Sequence, residues 1–313
     1  MALTHGGNGA GNLDKHRGGV KREEREMWNE KWWVAYQGVP GAYSELAART
    51  ACPGCFTLPC RTLTGAVLAV ESGEADRAVL PVESTMDGTA LRNYDILLRH
   101  DVRVAREITL FVRYCLLALP GVRKAGLRRV MSHPVALAHC GRALARLGVD
   151  REPVEDTAGA VRLLSTRRMF DAAAIASARA GEIYGLDVID EGVQDEAWNT
   201  TRFLIVSRDG EVGAGARAPK KTSMVVAHAG DDAMAMLRRV LSAFASRGVN
   251  LTKLEWLKGR RLRVFARVMV VDFEGSVEEE ENVREAVKEV EESAAFVRVL
   301  GCYASDRTVY NLE

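Results

Sequence analysis

VAYQGVPGAYS, residues 34–44, sets a short apolar run, Val34–Gln37, directly before a turn of glycine and proline and the start of a helical pattern. A buried strand that yields to a helix through small polar residues is the repeating unit of α/β layers. The same grammar recurs along the chain. Ala78–Pro81 runs into Glu83-Ser84-Thr85-Met86-Asp87-Gly88-Thr89, Arg129–Met131 runs into Ser132-His133-Pro134, and Asp156-Thr157-Ala158-Gly159 opens a further helix. Ala173–Ala176 and Phe203–Val206 read as further buried strands. Leu63–Glu71, Leu91–Arg99, Val135–Leu147 and Ala158–Ser165 read as the helices between them. The alternation predicts an α/β domain with a largely parallel sheet. The Val135 helix is the best delimited: Ser132 and His133 can cap it, Pro134 suits its first turn and Gly148 closes it.

Asp209–Lys221 is rich in glycine and alanine and reads as a linker. Beyond it the pattern restarts. Thr222–His228 is strand-like and Met234–Arg247 helical. Leu251–Leu257 and Leu262–Asp272 are strand-like, with a turn at Lys258-Gly259-Arg260. Val277–Glu292 is an acidic helix with Val283, Ala286, Val287 and Val290 on one side, and Phe296–Tyr303 is a last strand. The order βαββαβ is that of a ferredoxin-like unit.

Composition narrows the function classes. The 313 residues are 47% hydrophobic and 27% charged, with a formal net charge of +1, so no nucleic-acid footprint is expected. The longest apolar runs fall far short of the ~20 residues a membrane helix needs. The first 31 residues carry Gly, Lys, Arg and Glu without an apolar period and predict a disordered tail. The acids Asp14, Glu23, Glu24, Glu26 and Glu30 depart from the pattern of an organelle transit peptide. Six cysteines lie at Cys52, Cys55, Cys60, Cys115, Cys140 and Cys302. Cys52 and Cys55 have CxxC spacing, but neither a second such pair nor paired histidines lie nearby, so free thiols and no metal are expected.

The four strand-to-helix turns are where α/β sheets bind ligands, because free helix N–H groups point outward there. With no GxGxxG fingerprint and no P-loop, small anions are favoured over nucleotides. Asn199-Thr200-Thr201-Arg202-Phe203 enters the last strand of this part and offers a hydroxyl beside a guanidinium.

Taken in order, GVPGAYSELAA, ADRAVLPVEST…DGT, MSHPVALAHC, DTAGA, AAIAS and NTTRF resemble the motifs of the prephenate dehydratases, especially their plant arogenate dehydratase branch. TSMVVAH…GVNLTKLE…VDFEG…VRVLGCY resembles the ACT domain at the C-terminus of those enzymes. The resemblance implies an α/β catalytic domain, 32–208, built as two lobes of the type II periplasmic-binding-protein kind. Lobe one would take 32–107 and 187–208, and lobe two 108–185, with Ile108–Leu119 as a strand crossing the hinge. A linker, 209–221, a ferredoxin-like ACT regulatory domain, 222–304, and a tail, 305–313, would follow.

The resemblance further implies decarboxylating dehydration of arogenate to phenylalanine or of prephenate to phenylpyruvate, with no metal and no organic cofactor. Thr201, Glu83, Ser132, His139 and Ser84 match the catalytic positions. Thr201 would donate to the leaving oxygen, with the proton arriving through water or Glu83. Arg202 matches a carboxylate clamp or a structural support. Asn199, Tyr43, Ser44, Gly41, Thr85, Gly88, Thr89, His133, Thr157 and Ser177 match substrate-binding positions. Two departures stand out: Ser84 where the family has Asn, and His139 where it has Gln. The phenylalanine site of the ACT domain maps to Ala235, Met236, Leu237, Asn250, Leu251, Thr252 and Glu255 and has lost the Arg-Pro pair of the family. Weakened phenylalanine feedback is therefore expected. The resemblance implies a homodimer or homotetramer and a plastid stroma address, with a cytoplasmic one as the alternative. A non-catalytic ligand-binding paralogue is the alternative function.

Overall fold

The alternation of strand and helix resolves into three sheets. The computed structural model describes residues 31–210, 219–228, 232–257 and 267–311, so the expected N-terminal tail, most of the linker and the turn at Lys258-Gly259-Arg260 lie outside the described residues. From Trp32 onward these residues form one unit.

The first sheet has the order β16-β5-β11-β3-β1-β2, with β4 attached to β3. Its strands are β1 (Trp33–Gln37), β2 (Phe56–Cys60), β3 (Arg77–Ser84), β4 (Gly88–Thr89), β5 (Arg103–Phe111), β11 (Thr200–Ser207) and β16 (Val309–Tyr310). Helices α1 (Tyr43–Ala51), α2 (Leu63–Glu71) and α3 (Leu91–Arg99) connect its strands. The second sheet runs β10-β6-β9-β7-β8, with β6 (Cys115–Ala118), β7 (Arg129–Ser132), β8 (Asp150–Pro153), β9 (Ala172–Ala176) and β10 (Asp187–Glu191). Helices α4 (Pro134–His139), α5 (Gly141–Leu147), α6 (Thr157–Arg167) and α7 (Ala178–Tyr184) belong to it. The third sheet, β13-β14-β12-β15, is antiparallel. It comprises β12 (Lys220–His228), β13 (Leu251–Leu257), β14 (Arg267–Glu274) and β15 (Phe296–Ala304), and carries α8 (Ala233–Ala245) and α9 (Glu281–Ser293) in the βαββαβ order read from spacing.

Several expectations need correction. The first two sheets are mixed rather than largely parallel, because β11 runs antiparallel between β3 and β5, and β6 antiparallel beside β9 and β10. Ile108–Leu119 is not one strand: β5 ends at Phe111 in the first sheet and β6 begins at Cys115 in the second. The return to the first sheet starts later than Asp187, since β10 pairs with β6 and only β11 rejoins the first sheet. The helix expected over Val135–Leu147 breaks at Cys140, where φ is −111° and ψ 25°. There the Asp195 carboxylate accepts from the Arg142 N–H at 2.9 Å, which replaces the intrahelical partner lost at the break. Residues 305–313 are more than a tail, because Val309 and Tyr310 pair in parallel with Thr109 and Leu110 of β5.

Side-chain alternation along the first sheet divides its core in two. Val34, Tyr36, Val79, Phe203 and Ile205 pack with Ala47 and Ala48 of α1 and reach into the second-sheet core at Leu117, Met131 and Ala176. Ala35, Ala78, Leu80, Leu204 and Val206 pack instead with Val67, Tyr94 and Leu97, and with Val225, Val270, Leu300 and Tyr303 of the third sheet. The contact of β15 on β5 is close enough to demand glycine. A Cβ on Gly301 would lie 2.1 Å from the carbonyl oxygen of Val104.

Candidate active site

Four of the sequence-predicted turns meet where the first and second sheets adjoin. Gly41, at φ +91°, packs so tightly on α7 that a Cβ would lie 2.7 Å from the Cα of Ala180. Ser177 donates from Oγ to the Gly41 carbonyl at 2.7 Å and accepts from Ala180 N at 3.1 Å, capping α7. Tyr43 Oη donates to the Arg113 carbonyl at 2.7 Å, and its ring stands edge-on to Tyr114 with centroids 5.8 Å apart. Burial, then neighbouring Tyr114, hold the Tyr43 phenol well above its ordinary pKa, so it remains a neutral donor. Gly41, Tyr43 and Ser177 therefore join the two walls and do not stand free for a ligand.

Thr201 lies at the start of β11, opposite Ser84 of β3 on one side and Leu110 of β5 on the other. Directly paired residues share a face, and Leu110, Phe203 and Ile205 belong to the core shared with the second sheet. Thr201 and Ser84 thus present their hydroxyls together toward the second sheet. Ser84 Oγ accepts from Met86 N at 3.1 Å, which shapes the turn carrying Asp87. Thr85 Oγ1 accepts from Thr200 N at 2.9 Å and so fastens that turn to the strand entry.

Arg202 points the other way. Its Nε donates to Glu107 Oε2 at 2.7 Å, Nη1 to Asp272 Oδ2 at 2.9 Å, and Nη2 to the Tyr303 hydroxyl at 3.0 Å. Ser223 donates to Asp272 Oδ1 at 2.6 Å, and Lys221 pairs with Glu107 at 3.1 Å. Burial alone would lower the Arg202 pKa, but Tyr303, Asp272 and Glu107 raise it well above the ordinary value, so the guanidinium stays charged. Of the two roles expected for Arg202, the structural one matches this geometry: its donors are taken up by Glu107 and Glu83 of the first sheet and by Asp272 and Tyr303 of the third, away from Thr201.

Glu83 follows Arg202. A register shift opposite Arg202–Phe203 sets Glu83 against Arg202 and away from Thr201. Its Oε2 lies 3.1 Å from Lys253 Nζ and 3.4 Å from Arg202 Nη1. Thr89 also turns to the third sheet, accepting from Lys253 Nζ at 2.7 Å and donating to Glu255 at 3.4 Å. The expected partnership of Glu83 with Thr201 does not form. Ser132, fully buried, donates to the Ile175 carbonyl at 2.6 Å and ties β7 to β9 rather than facing a ligand. His133 caps α4, its Nδ1 accepting from Val135 N at 3.3 Å, and burial lowers its pKa against the opposing fields of Asp156 and Asp87. Thr157 opens α6, whose N-cap Asp156 accepts from Gly159 N. Ser44 lies in the first turn of α1, and Gly88 at φ +74° has open space where a side chain would go.

The remaining polar group of this junction is His139. It is 9% exposed at the end of α4, with Nε2 3.0 Å from Asp87 Oδ1 and its ring 6.2 Å from that of Tyr114. Asn199, 1% exposed, precedes β11 beside the Tyr114 hydroxyl. Asp87 and Tyr114 were missed as site residues. Asp87 lies inside the turn Glu83–Thr89 with no partner visible along the sequence, and Tyr114 lies within the apolar run Ile108–Leu119. The ACT positions divide: Met236 is buried in the third-sheet core, Asn250 and Thr252 are exposed, and Glu255 is turned to Thr89. Asn250, Leu251 and Thr252 also line, with Glu107, Arg202 and Lys221, a polar cavity of about 420 Å³. Among the described residues no cluster of potential ligands could hold a metal ion, and no helix is long and apolar enough to cross a membrane.

Comparison with known proteins shows the family. Residues 34–211 match the family model described as prephenate dehydratase. The chain is 47% identical over 293 residues to arogenate dehydratase/prephenate dehydratase 6, chloroplastic, of Arabidopsis thaliana, covering 89% of this chain and 70% of that protein. It is 47% identical over 290 residues to arogenate dehydratase 1 of Petunia hybrida, covering 88% and 67%. Among solved structures, prephenate dehydratase from Arthrobacter aurescens in complex with L-Phe superposes with a TM-score of 0.76 at 27% identity, covering 87% of this chain and 90% of that one. A structure described as GqqA, a novel type of quorum quenching acylase, superposes with a TM-score of 0.77 at 33% identity, covering 88% and 98%.

Proposed function

The chain belongs to the prephenate dehydratase family, and from that premise we propose that it makes the aromatic ring of phenylalanine by removing water and carbon dioxide from arogenate or prephenate. It is an enzyme, a hydro-lyase of phenylalanine biosynthesis. The ring carboxylate leaves as carbon dioxide, its bonding pair enters the ring, and the 4-hydroxyl departs as water. Aromatisation supplies the driving force. The protein's task is to hold the substrate and to stabilise the departing oxygen.

The observation that carries this reading is the cross-strand pair Thr201 and Ser84, two hydroxyls side by side on the face turned to the second sheet. Thr201 donates a hydrogen bond to the leaving oxygen, and Ser84 takes the place of the family's Asn beside it. Ser44 and Thr157, in the first turns of α1 and α6, offer hydroxyls and helix amides to the carboxylates. The two sheets with their helices act as the two lobes of a periplasmic-binding-protein-like domain over about 32–208, and 222–304 acts as an ACT regulatory domain. Two Arabidopsis relatives named chloroplastic support a plastid address, and ACT domains associate symmetrically, which favours a homodimer or a dimer of dimers.

The test offers arogenate and prephenate separately to the purified protein. Phenylalanine from the first or phenylpyruvate from the second sustains the reading and settles the substrate. Folded protein that turns over neither would make it a ligand-binding paralogue. Feedback is tested in the same assay. With Glu255 engaged by Thr89 and the Arg-Pro pair lost, added phenylalanine leaves the rate nearly unchanged; inhibition at low micromolar phenylalanine would refute weakened feedback.

A further inference from the structure

Dehydration consumes one proton, and neither hydroxyl at the site can surrender one outright at neutral pH. Glu83, the expected source, is held by Lys253 and Arg202 on the far face of the first sheet. A buried imidazole lies on the near face. His139 comes from the second-sheet segment and Asp87 from the turn after Ser84, and their Nε2 and Oδ1 are 3.0 Å apart. A carboxylate at that distance accepts the Nε2 proton and stabilises the ring when it is charged, as an orienting carboxylate does for other catalytic histidines.

The other ring nitrogen is unclaimed. His139 Nδ1 is buried without a hydrogen-bond partner among the described residues. Buried polar atoms are nearly always partnered, so an orphan at a substrate site marks an atom that a ligand completes. Asn199 Nδ2, beside the Tyr114 hydroxyl, is a second such atom among the described residues. Both flank Tyr114, whose ring lies against His139.

We infer that His139, held by Asp87, is the proton donor of the dehydration proposed above. The inference rests on that reading. The imidazolium gives its Nδ1 proton to the 4-hydroxyl as the carbon–oxygen bond breaks and the pair from the ring carboxylate closes the aromatic system. Water and carbon dioxide leave, His139 is left neutral, and solvent restores its proton. Thr201 orients the leaving oxygen. The family's Gln at this position can donate a hydrogen bond but cannot carry the proton, so this device is a property of the present chain.

The charged and titratable groups around the ring are few. Asp87 is hydrogen-bonded to it. Tyr114 is kept neutral by burial, followed by Cys140 and Asp87. The Cys140 thiol, next in the chain, is pushed up to about 12 by burial and then Asp195. Asp195 is turned to Arg142, donating only its backbone N–H to the His139 carbonyl at 2.6 Å. His133, at the other end of α4, shares the field of Asp87.

The test is kcat and KM against pH for the wild type, His139→Gln and Asp87→Asn, with folding followed by circular dichroism. The wild type should show log kcat falling with rising pH as the imidazolium is lost. His139→Gln should lower kcat about 100-fold, with little change in KM, and abolish that alkaline fall. Asp87→Asn, at a half-exposed position, should lower kcat and keep the fall. A His139→Gln enzyme with unaltered kcat and pH profile overturns the inference and leaves the dehydratase reading intact. Loss of kcat with the alkaline fall preserved shows a structural role and overturns it too. A wild type inactive on both substrates removes both readings.

Discussion

The two faces of β11 carry neighbouring residues of one short motif under opposite conditions. Arg202 is wrapped in Glu107, Asp272, Tyr303 and Glu83, with Ser223, Lys221 and Lys253 completing a network whose cations and anions balance. Thr201, one residue earlier, faces a junction where buried polar atoms of His139 and Asn199 have no partners among the described residues. The saturated face behaves as a fastening between sheets, and the unsaturated face as a place prepared for a ligand. Polar residues in sequence therefore announce a site less reliably than the state of their hydrogen bonds does.

Breaking the saturated face should have the largest effect. Arg202→Ala strands the buried carboxylates of Asp272 and Glu107, and a loss of about 3–5 kcal/mol in unfolding free energy is expected by denaturant titration. A loss below about 1 kcal/mol would mean the network contributes little and would reopen the carboxylate-clamp role. Next in size is the open face. Thr201→Ala should reduce kcat about 100-fold, as removal of one aligned donor to a developing oxyanion does, while thermal stability stays near the wild-type value. A variant that unfolds early instead would show that Thr201 is as structural as its neighbour. The smallest effect is expected for Glu83→Gln. Its carboxylate is two-fifths exposed and paired with Lys253, so stability should shift by less than about 1 kcal/mol and kcat by a small factor. A large loss of kcat with KM unchanged would return Glu83 to the catalytic set and blur the contrast between the faces.

Much of the framework was legible. Leu63–Glu71 and Leu91–Arg99 are helices with the bounds their apolar spacing predicts, and the βαββαβ order of the C-terminal part follows from alternation alone. The site was legible in part. Thr201 and Ser84 do share a face, but Glu83 and Arg202 do not join them, because a one-residue shift in the β3–β11 register turns Glu83 to the side of Arg202. Ser132 and Ser177 look like free hydroxyls in sequence, and each is consumed by a backbone carbonyl from a distant segment, Ile175 and Gly41. The short strand Val309–Tyr310 carried no periodic signal, since two residues are too few to show one.

By itself the sequence determined many of the strands and helices, the βαββαβ order of the C-terminal part and the family motifs. These depend on local periodicity, turn chemistry and residue order, all of which can be read along one dimension. Only the tertiary structure decided which polar groups are spent and which are free. Asp87 meets His139 across 52 positions and Arg202 meets Asp272 across 70. Such pairings depend on strand register and on the packing of one sheet against another. A single bulge reverses the face a side chain occupies, and nothing in the local pattern around Glu83 specifies where that bulge falls.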